Sequence, residues 1–182
     1  MNNVPWIDEL SLKEWESIID AGPRPFDVFE WGSGGSTIWF GQKQIGKVYS
    51  VEHNLKWYDT VKAEKIKFGL DNVFTFYIPS VPDTGCMHSL SVPNTNFYGY
   101  TNLIRDLNSF FDFIVIDGRA RVMCFENACS YVKDGGYVVL HDSERKMYDA
   151  CRTIATRWGL KTHETQEKRS TLLCQKISGI VP

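Results

Sequence analysis

Residues 29–40 read FEWGSGGSTIWF. An apolar, aromatic run breaks into Gly32-Ser33-Gly34-Gly35 and resumes as a helical pattern from Thr37 to Gln42. A strand that ends in a bare loop and turns into a helix reads this way. Gly32 permits the sharp turn. Gly34 and Gly35 carry no side chain that would keep a ligand off the backbone. Ser36 and Thr37 fall near a helix N-terminus, where free N–H groups point outward. The glycines make either a tight bend alone or a cradle for a ligand, and Glu30, two residues ahead of them, bears on which.

Working outward, the chain alternates strand and helix patterns. Upstream, Ser11-Leu-Lys-Glu14 reads as a capping box, followed by the apolar stripe Leu12, Trp15, Ile18 and Ile19 and stopped at Gly22-Pro-Arg-Pro25. Residues 1–25 are thus expected to form an N-terminal helix, and 26–31 a first strand. Downstream come strand 47–52, helix 57–68 closed by Gly69, and strand 73–78. Residues 79–101, PSVPDTGCMHSLSVPNTNFYGYT, have a different texture and read as a long substrate loop, with Gly99 as a hinge between Tyr98 and Tyr100 or with the rings pinning the loop to the core. Then follow a short helix 102–110, strand 113–116 (FIVI), helix 122–132, a Gly135-Gly136 turn, strand 137–140 (YVVL) and helix 146–158. Two closing strands, 162–165 and 172–177, are joined by the polar turn QEKRS with no helix between them. This order predicts one α/β domain over residues 1–182, a doubly wound, Rossmann-like, seven-stranded sheet, mostly parallel, with an antiparallel C-terminal hairpin.

Composition limits the function. A length of 182 residues, 43% hydrophobic and 23% charged, suits one soluble domain with a sizeable core. A net charge of −2 with no Lys/Arg stripe gives no footprint for nucleic acid, and Lys62, Lys65 and Lys67 read as a wet helix face. There is no apolar run long enough to span a membrane and no secretory pattern at the start. Five scattered cysteines without C-x-x-C argue against a disulfide framework or a structural zinc site, so a reducing cytoplasm is the expected setting.

In an open parallel sheet, ligands bind beyond the carboxyl ends of the strands. Glu30-Trp-Gly32, Glu52-His53, Asp117-Gly118 and His141-Asp142 all fall there on this reading. Glu52, 20 residues after Gly32, suits a carboxylate that accepts hydrogen bonds from a ribose diol, or else is a solvated strand-end charge. Two features speak against a dinucleotide. Glu30 beside the loop would repel a pyrophosphate but suits an ammonium or sulfonium, and Thr37 stands where the dinucleotide fingerprint wants a small residue.

FEWGSGGSTIWF, VYSVEHN (48–54), FDFIVIDGRAR (111–121) and GGYVVLHDSER (135–145) resemble the successive motifs of class I S-adenosylmethionine-dependent methyltransferases, over roughly residues 26–145. The nearest likeness is to bacterial members with a WGSG-x-ST, SVEH, IDGR-x-R pattern. The resemblance implies that Glu30, Gly32 and Gly34, with Ser33 between them, line the methionine part of S-adenosylmethionine. It implies that Glu52 holds the ribose hydroxyls, with His53 or its neighbours beside the adenine, and that Asp117 lies near the methionine amino group or the acceptor. After the third strand the family often places an acid or amide for the adenine amino group, whereas this chain has Ile78-Pro79-Ser80. Some O-methyltransferases of this fold bind a divalent metal with acids at the fourth and fifth strand ends followed by Asn. Asp117 and Asp142 match those acids and would suit Mg²⁺, although Ser143 follows Asp142, which alternatively caps the next helix.

His141 is a candidate general base, so Asp117, His141 and Asp142 are expected to face the acceptor. Arg119 and Arg121 either clamp an anion on the substrate or pair with Asp117 and Glu126. Trp57-Tyr58 reads as packing at a helix start, and His88 and His163 as surface residues. The expected function is methyl transfer to a small-molecule or glycan acceptor, at oxygen, with no nucleic-acid or membrane partner. A non-catalytic binding module of the same fold and an NAD-linked oxidoreductase are the alternatives.

Overall fold

The computed structural model describes residues 3–82, 88–89, 92–165 and 170–179. Its first helix, α1 (Glu9–Ala21), is capped by Asp8, whose carboxylate accepts from the backbone N–H of Ser11 at 2.8 Å. The expected box at Ser11 is therefore displaced by one turn. Ser11 is a buried helix residue whose hydroxyl donates to Asp8, and the Asp8 carboxylate takes the capping role by accepting the first-turn N–H. Trp15 and Ile19 fill the buried stripe as the spacing predicts.

The strands β1 (Val28–Trp31), β2 (Val48–Glu52) and β3 (Val73–Tyr77) alternate with α2 (Gly35–Lys43) and α3 (Leu55–Lys67). After β3 the expected loop is a small antiparallel sheet of three short strands, β4 (Val81–Pro82), β5 (His88–Ser89) and β6 (Val92–Asn96), in the order β4-β6-β5. Helix α4 (Tyr98–Asp106) starts four residues before the sequence reading placed it and takes in Gly99. The hinge at Gly99 is thus corrected: Phe97 and Tyr100 are buried, and the rings pin this stretch to the core. Then follow β7 (Phe111–Ile116), α5 (Arg121–Tyr131), β8 (Val132–His141), a 3₁₀ turn (Lys146–Tyr148), α6 (Asp149–Arg157), β9 (Lys161–Glu164) and β10 (Thr171–Gln175). Gly135 and Gly136 do not precede the fifth main strand but lie within β8, where they exchange backbone hydrogen bonds with Lys176. Most of the QEKRS turn lies outside the described residues, as do Cys86 and the side chain of His88.

The main sheet has seven strands in the order β3-β2-β1-β7-β8-β10-β9. β10 runs antiparallel to both β8 and β9, and the other pairings are parallel. The expected doubly wound sheet with a C-terminal hairpin is therefore present. Alternation along each strand feeds two cores. Phe29, Trp31, Ile114 and Ile116 face one helical layer, and Val28, Val48, Phe113 and Val115 face the other. Chain order reverses between β1 and β7, so the loops after these strands diverge to opposite faces and open a crevice at their carboxyl ends. No helix among the described residues is long and apolar enough to cross a membrane.

Candidate active site

The crevice is real and sizeable. A cleft of about 880 Å³ opens over the ends of β1, β2, β7 and β8. Gly32, Ser33, Gly34, Glu52, His53, Asp117 and Asp142 all line it, so most of the residues expected to meet there do so.

Gly32 adopts φ +96°, and a Cβ there would sit 2.7 Å from the backbone nitrogen of Gly118. The loops after β1 and β7 thus touch backbone to backbone, which only glycine allows. Gly118 is equally constrained, since a Cβ would lie 1.9 Å from Oη of Tyr100. Gly118→Ala is expected to lower stability by about 1–3 kcal/mol, as overpacking does. In a Tyr100→Phe background, which removes the clashing oxygen, denaturation should show most of that loss recovered; an equal loss in both backgrounds would refute the contact. Gly34 differs. Its φ of −172° suits any residue, and a Cβ would meet no protein atom within 4 Å. The fold does not require glycine there; the cleft is what its bareness enlarges.

Glu30 does not line the cleft. Its carboxylate is fully buried behind the loop, where it accepts hydrogen bonds from Ser36, Thr37 and Ser50, the last at 2.8 Å. Thr37 also accepts from the backbone N–H of Gly34 at 2.8 Å, and so ties the helix N-cap to Glu30. The residue that spoils the dinucleotide fingerprint is the clasp of this loop. Burial pushes the Glu30 carboxyl up to about 7 despite its hydroxyl donors, and the charge of Asp117 adds to the rise.

At the end of β2, Oε1 of Glu52 accepts from the backbone N–H groups of His53 (2.9 Å) and Asn54 (2.7 Å) and lies 2.8 Å from Nδ1 of His53. Oε2 has no donor among the described residues. The His53 ring meets Phe97 edge-on at 5.4 Å, which joins the segment before α4 to the cleft wall.

Across the cleft, Asp117 is half-exposed and His141 is not. Nδ1 of His141 lies 2.9 Å from Oδ1 of Asp117, while its ring is buried and its Nε2 has no partner. An ionised carboxylate only accepts, so Nδ1 is the donor. His141 therefore backs Asp117 rather than facing the acceptor, as the sequence reading had placed it. Arg121 is the hub of this wall. Its guanidinium donates to the carbonyls of Gly118 (3.0 Å), Asp117 (3.0 Å) and His141, and lies 3.1 Å from Asp117 Oδ1 and 3.4 Å from Asp142 Oδ2. Arg145 adds a second cation 2.7 Å from Asp142. Asp142 holds φ +53° at the strand end and does not cap a following helix.

The ligand atoms of Asp117, His141 and Asp142 lie within 4.8 Å of one another, a set whose chemistry suits a metal. The guanidinium of Arg121 already stands between the two carboxylates and answers their charge. A divalent cation would have to displace or oppose it, so these residues do not fit the expected Mg²⁺.

Sequence reasoning missed three features. Trp57 is 43% exposed, lines the cleft, and its indole N–H donates to the carbonyl of Ser33, so it is cleft wall rather than packing. The segment before α1 brings Val4 and the 77% exposed Trp6 to the same cleft. And Arg121, read as one of an ambiguous pair, is the residue that holds two strand ends together.

A family model described as a methyltransferase domain matches residues 29–143. No curated protein sequence matches the chain. Among solved structures, a precorrin-6y C5,15-methyltransferase from Geobacter metallireducens is similar at 12% identity and TM-score 0.65, over 93% of this chain and 90% of that one. An rRNA methylase from Streptococcus thermophilus is similar at 8% identity and TM-score 0.63, over 96% and 100%. An O-methyltransferase family protein from Burkholderia thailandensis gives 12% and 0.59, over 94% of this chain and 57% of that one. At such identities the likeness is one of fold, and proteins named for such different acceptors share it, so the fold does not select one.

Proposed function

The chain belongs to the methyltransferase-domain family matched over residues 29–143, and on that footing we propose that it transfers a methyl group from S-adenosylmethionine to a small-molecule or glycan acceptor, at oxygen. The observation that supports this most is Gly34. The protein leaves room for a side chain there and the sequence supplies none, on a loop that faces a cleft large enough for a nucleoside-sized ligand.

The residues present fit the cofactor. Gly32, Ser33 and Gly34 would hold its amino-acid end against bare backbone, with Glu30 behind them fixing the loop. Glu52, its Oε1 saturated by backbone donors, would offer Oε2 to the ribose hydroxyls, and His53 and Trp57 would flank the base. When bound, S-adenosylmethionine supplies an electrophilic methyl group on a sulfonium. The protein's part is to align the acceptor with that methyl and to take up the hydroxyl proton. Of the three carboxylates that line the cleft, Asp117 is the half-exposed one, so it would orient that hydroxyl. His141, whose Nδ1 donates to Asp117, would fix the carboxylate and share the proton load. Asp142, on the same wall, keeps the Arg121 hub in place.

Calorimetric titration with S-adenosylhomocysteine tests the reading. The wild type is expected to bind in the micromolar range. Glu52→Ala should weaken binding by about 1.5–3 kcal/mol, the cost of losing a charged hydrogen-bonding partner. Gly34→Ala should also weaken it, by about tenfold or more, while folding stability changes by no more than about 0.5 kcal/mol. An absence of binding by the wild type would overturn the proposal.

A further inference from the structure

Each carboxylate on the cleft wall has its charge answered from within the chain. Glu52 has two backbone N–H groups. Asp117 has His141 and Arg121. Asp142 has Arg121 and Arg145. The cations of the cleft do not balance in the same way. Arg119 and Lys56 line it, are exposed, and have no side-chain partner among the described residues.

The local backbone explains why the two neighbouring arginines behave differently. Ala120, between them, adopts φ +51°, a left-handed turn just before α5. One guanidinium goes inward, where Arg121 is 7% exposed and saturated with carbonyls and carboxylates; the other, on Arg119, is left at the cleft. The sequence leaves open whether this pair clamps an anion or pairs internally, and the structure divides those roles between the two residues.

We propose that Arg119 is the anion-recognising residue of the cleft and holds a carboxylate or phosphate group of the bound ligand. This rests on the cleft being a methyl-transfer site. A guanidinium presents a planar fork of donors that matches both anions, and at the wall of a partly enclosed cleft its attraction is less screened than on open surface. The excess of cation over acid gives an anionic acceptor a preference over a neutral one. The same fork would also suit the amino-acid carboxylate of the cofactor, and the two sources are separable by experiment.

The test uses the wild type, Arg119→Gln, and Lys56→Gln as a control that removes the other unpartnered charge. Each is titrated with S-adenosylhomocysteine and with methylthioadenosine, which lacks the amino-acid carboxylate. Each is then titrated, free and loaded with S-adenosylhomocysteine, with glucuronate, glucose 6-phosphate and uncharged methyl glucoside. If the anion belongs to the acceptor, the wild type prefers the charged sugars by about tenfold, the scale of one charge-assisted hydrogen bond. Arg119→Gln abolishes that preference, and Lys56→Gln mostly spares it. If the anion belongs to the cofactor, Arg119→Gln weakens S-adenosylhomocysteine by a similar factor and leaves methylthioadenosine unchanged. An Arg119→Gln protein that changes neither overturns the inference. Failure of the wild type to bind S-adenosylhomocysteine overturns the methyl-transfer reading instead, and the titrations of the free protein still decide the role of Arg119.

Discussion

Arg121→Met is expected to cost about 3–5 kcal/mol of folding stability, the scale found when one partner of a buried ion pair is removed. Methionine fills much of the arginine's volume, so the loss is electrostatic rather than a cavity. Three carbonyls, those of Asp117, Gly118 and His141, lose their donor. Asp142, buried and in a left-handed conformation, keeps the half-exposed Arg145 as its arginine partner. For a chain of this size the loss is a fall in melting temperature of about 6–20 °C. Arg121→Lys should recover little, because one ammonium cannot serve carbonyls on three sides. Chemical or thermal denaturation reads the effect directly. A loss below about 1 kcal/mol would show that the hub is dispensable. Raising the salt concentration should leave the difference largely intact, since the group is buried.

This hub marks the boundary of what the sequence discloses. The apolar tetrads FIVI and YVVL and the acids that follow them locate the strand ends without help, because a strand buried on both faces must be apolar and its first polar residue marks its exit. The turn role of Gly32 is also legible, and its φ of +96° fits it, whereas its backbone contact with Gly118 has no signal in the sequence. What chooses between Arg119 and Arg121 is one left-handed residue, Ala120, and alanine carries no signal for it. The small sheet β4-β6-β5 is equally hidden, since two of its strands have only two residues and the third, VPNTN, carries a proline and no apolar alternation. Trp57 and Trp6 enter the cleft by tertiary placement: one projects from the first turn of α3 onto the loop after β1, and the other comes from the segment before α1. Neither direction is encoded in spacing.

Glu30 shows how a correct residue can support too simple an inference. An acid before the glycine loop reads as a fixed negative charge that selects a cationic ligand. Buried, with its carboxyl pushed up to about 7, it is only partly ionised near neutrality. The unfolded chain releases this proton near 4.5, so between about pH 4.5 and 7 the native state holds a proton that the unfolded state has lost. The contribution of Glu30 to stability is therefore fully present below about 4.5 and falls as pH rises through about 7, at about 1.4 kcal/mol per pH unit. Relative to Glu30→Gln, which cannot ionise, the wild type is expected to lose about 2 kcal/mol between about pH 5.5 and about pH 8.5. Thr37→Val removes a donor that favours the ionised form, and should move the midpoint of this loss to higher pH. Denaturation curves for the three proteins across that range settle it. A difference between wild type and Glu30→Gln that stays flat with pH would mean that the hydroxyls of Ser36, Thr37 and Ser50 hold Glu30 ionised throughout. In that case the loop carries a permanent negative charge behind the cleft, and the simpler inference from sequence stands.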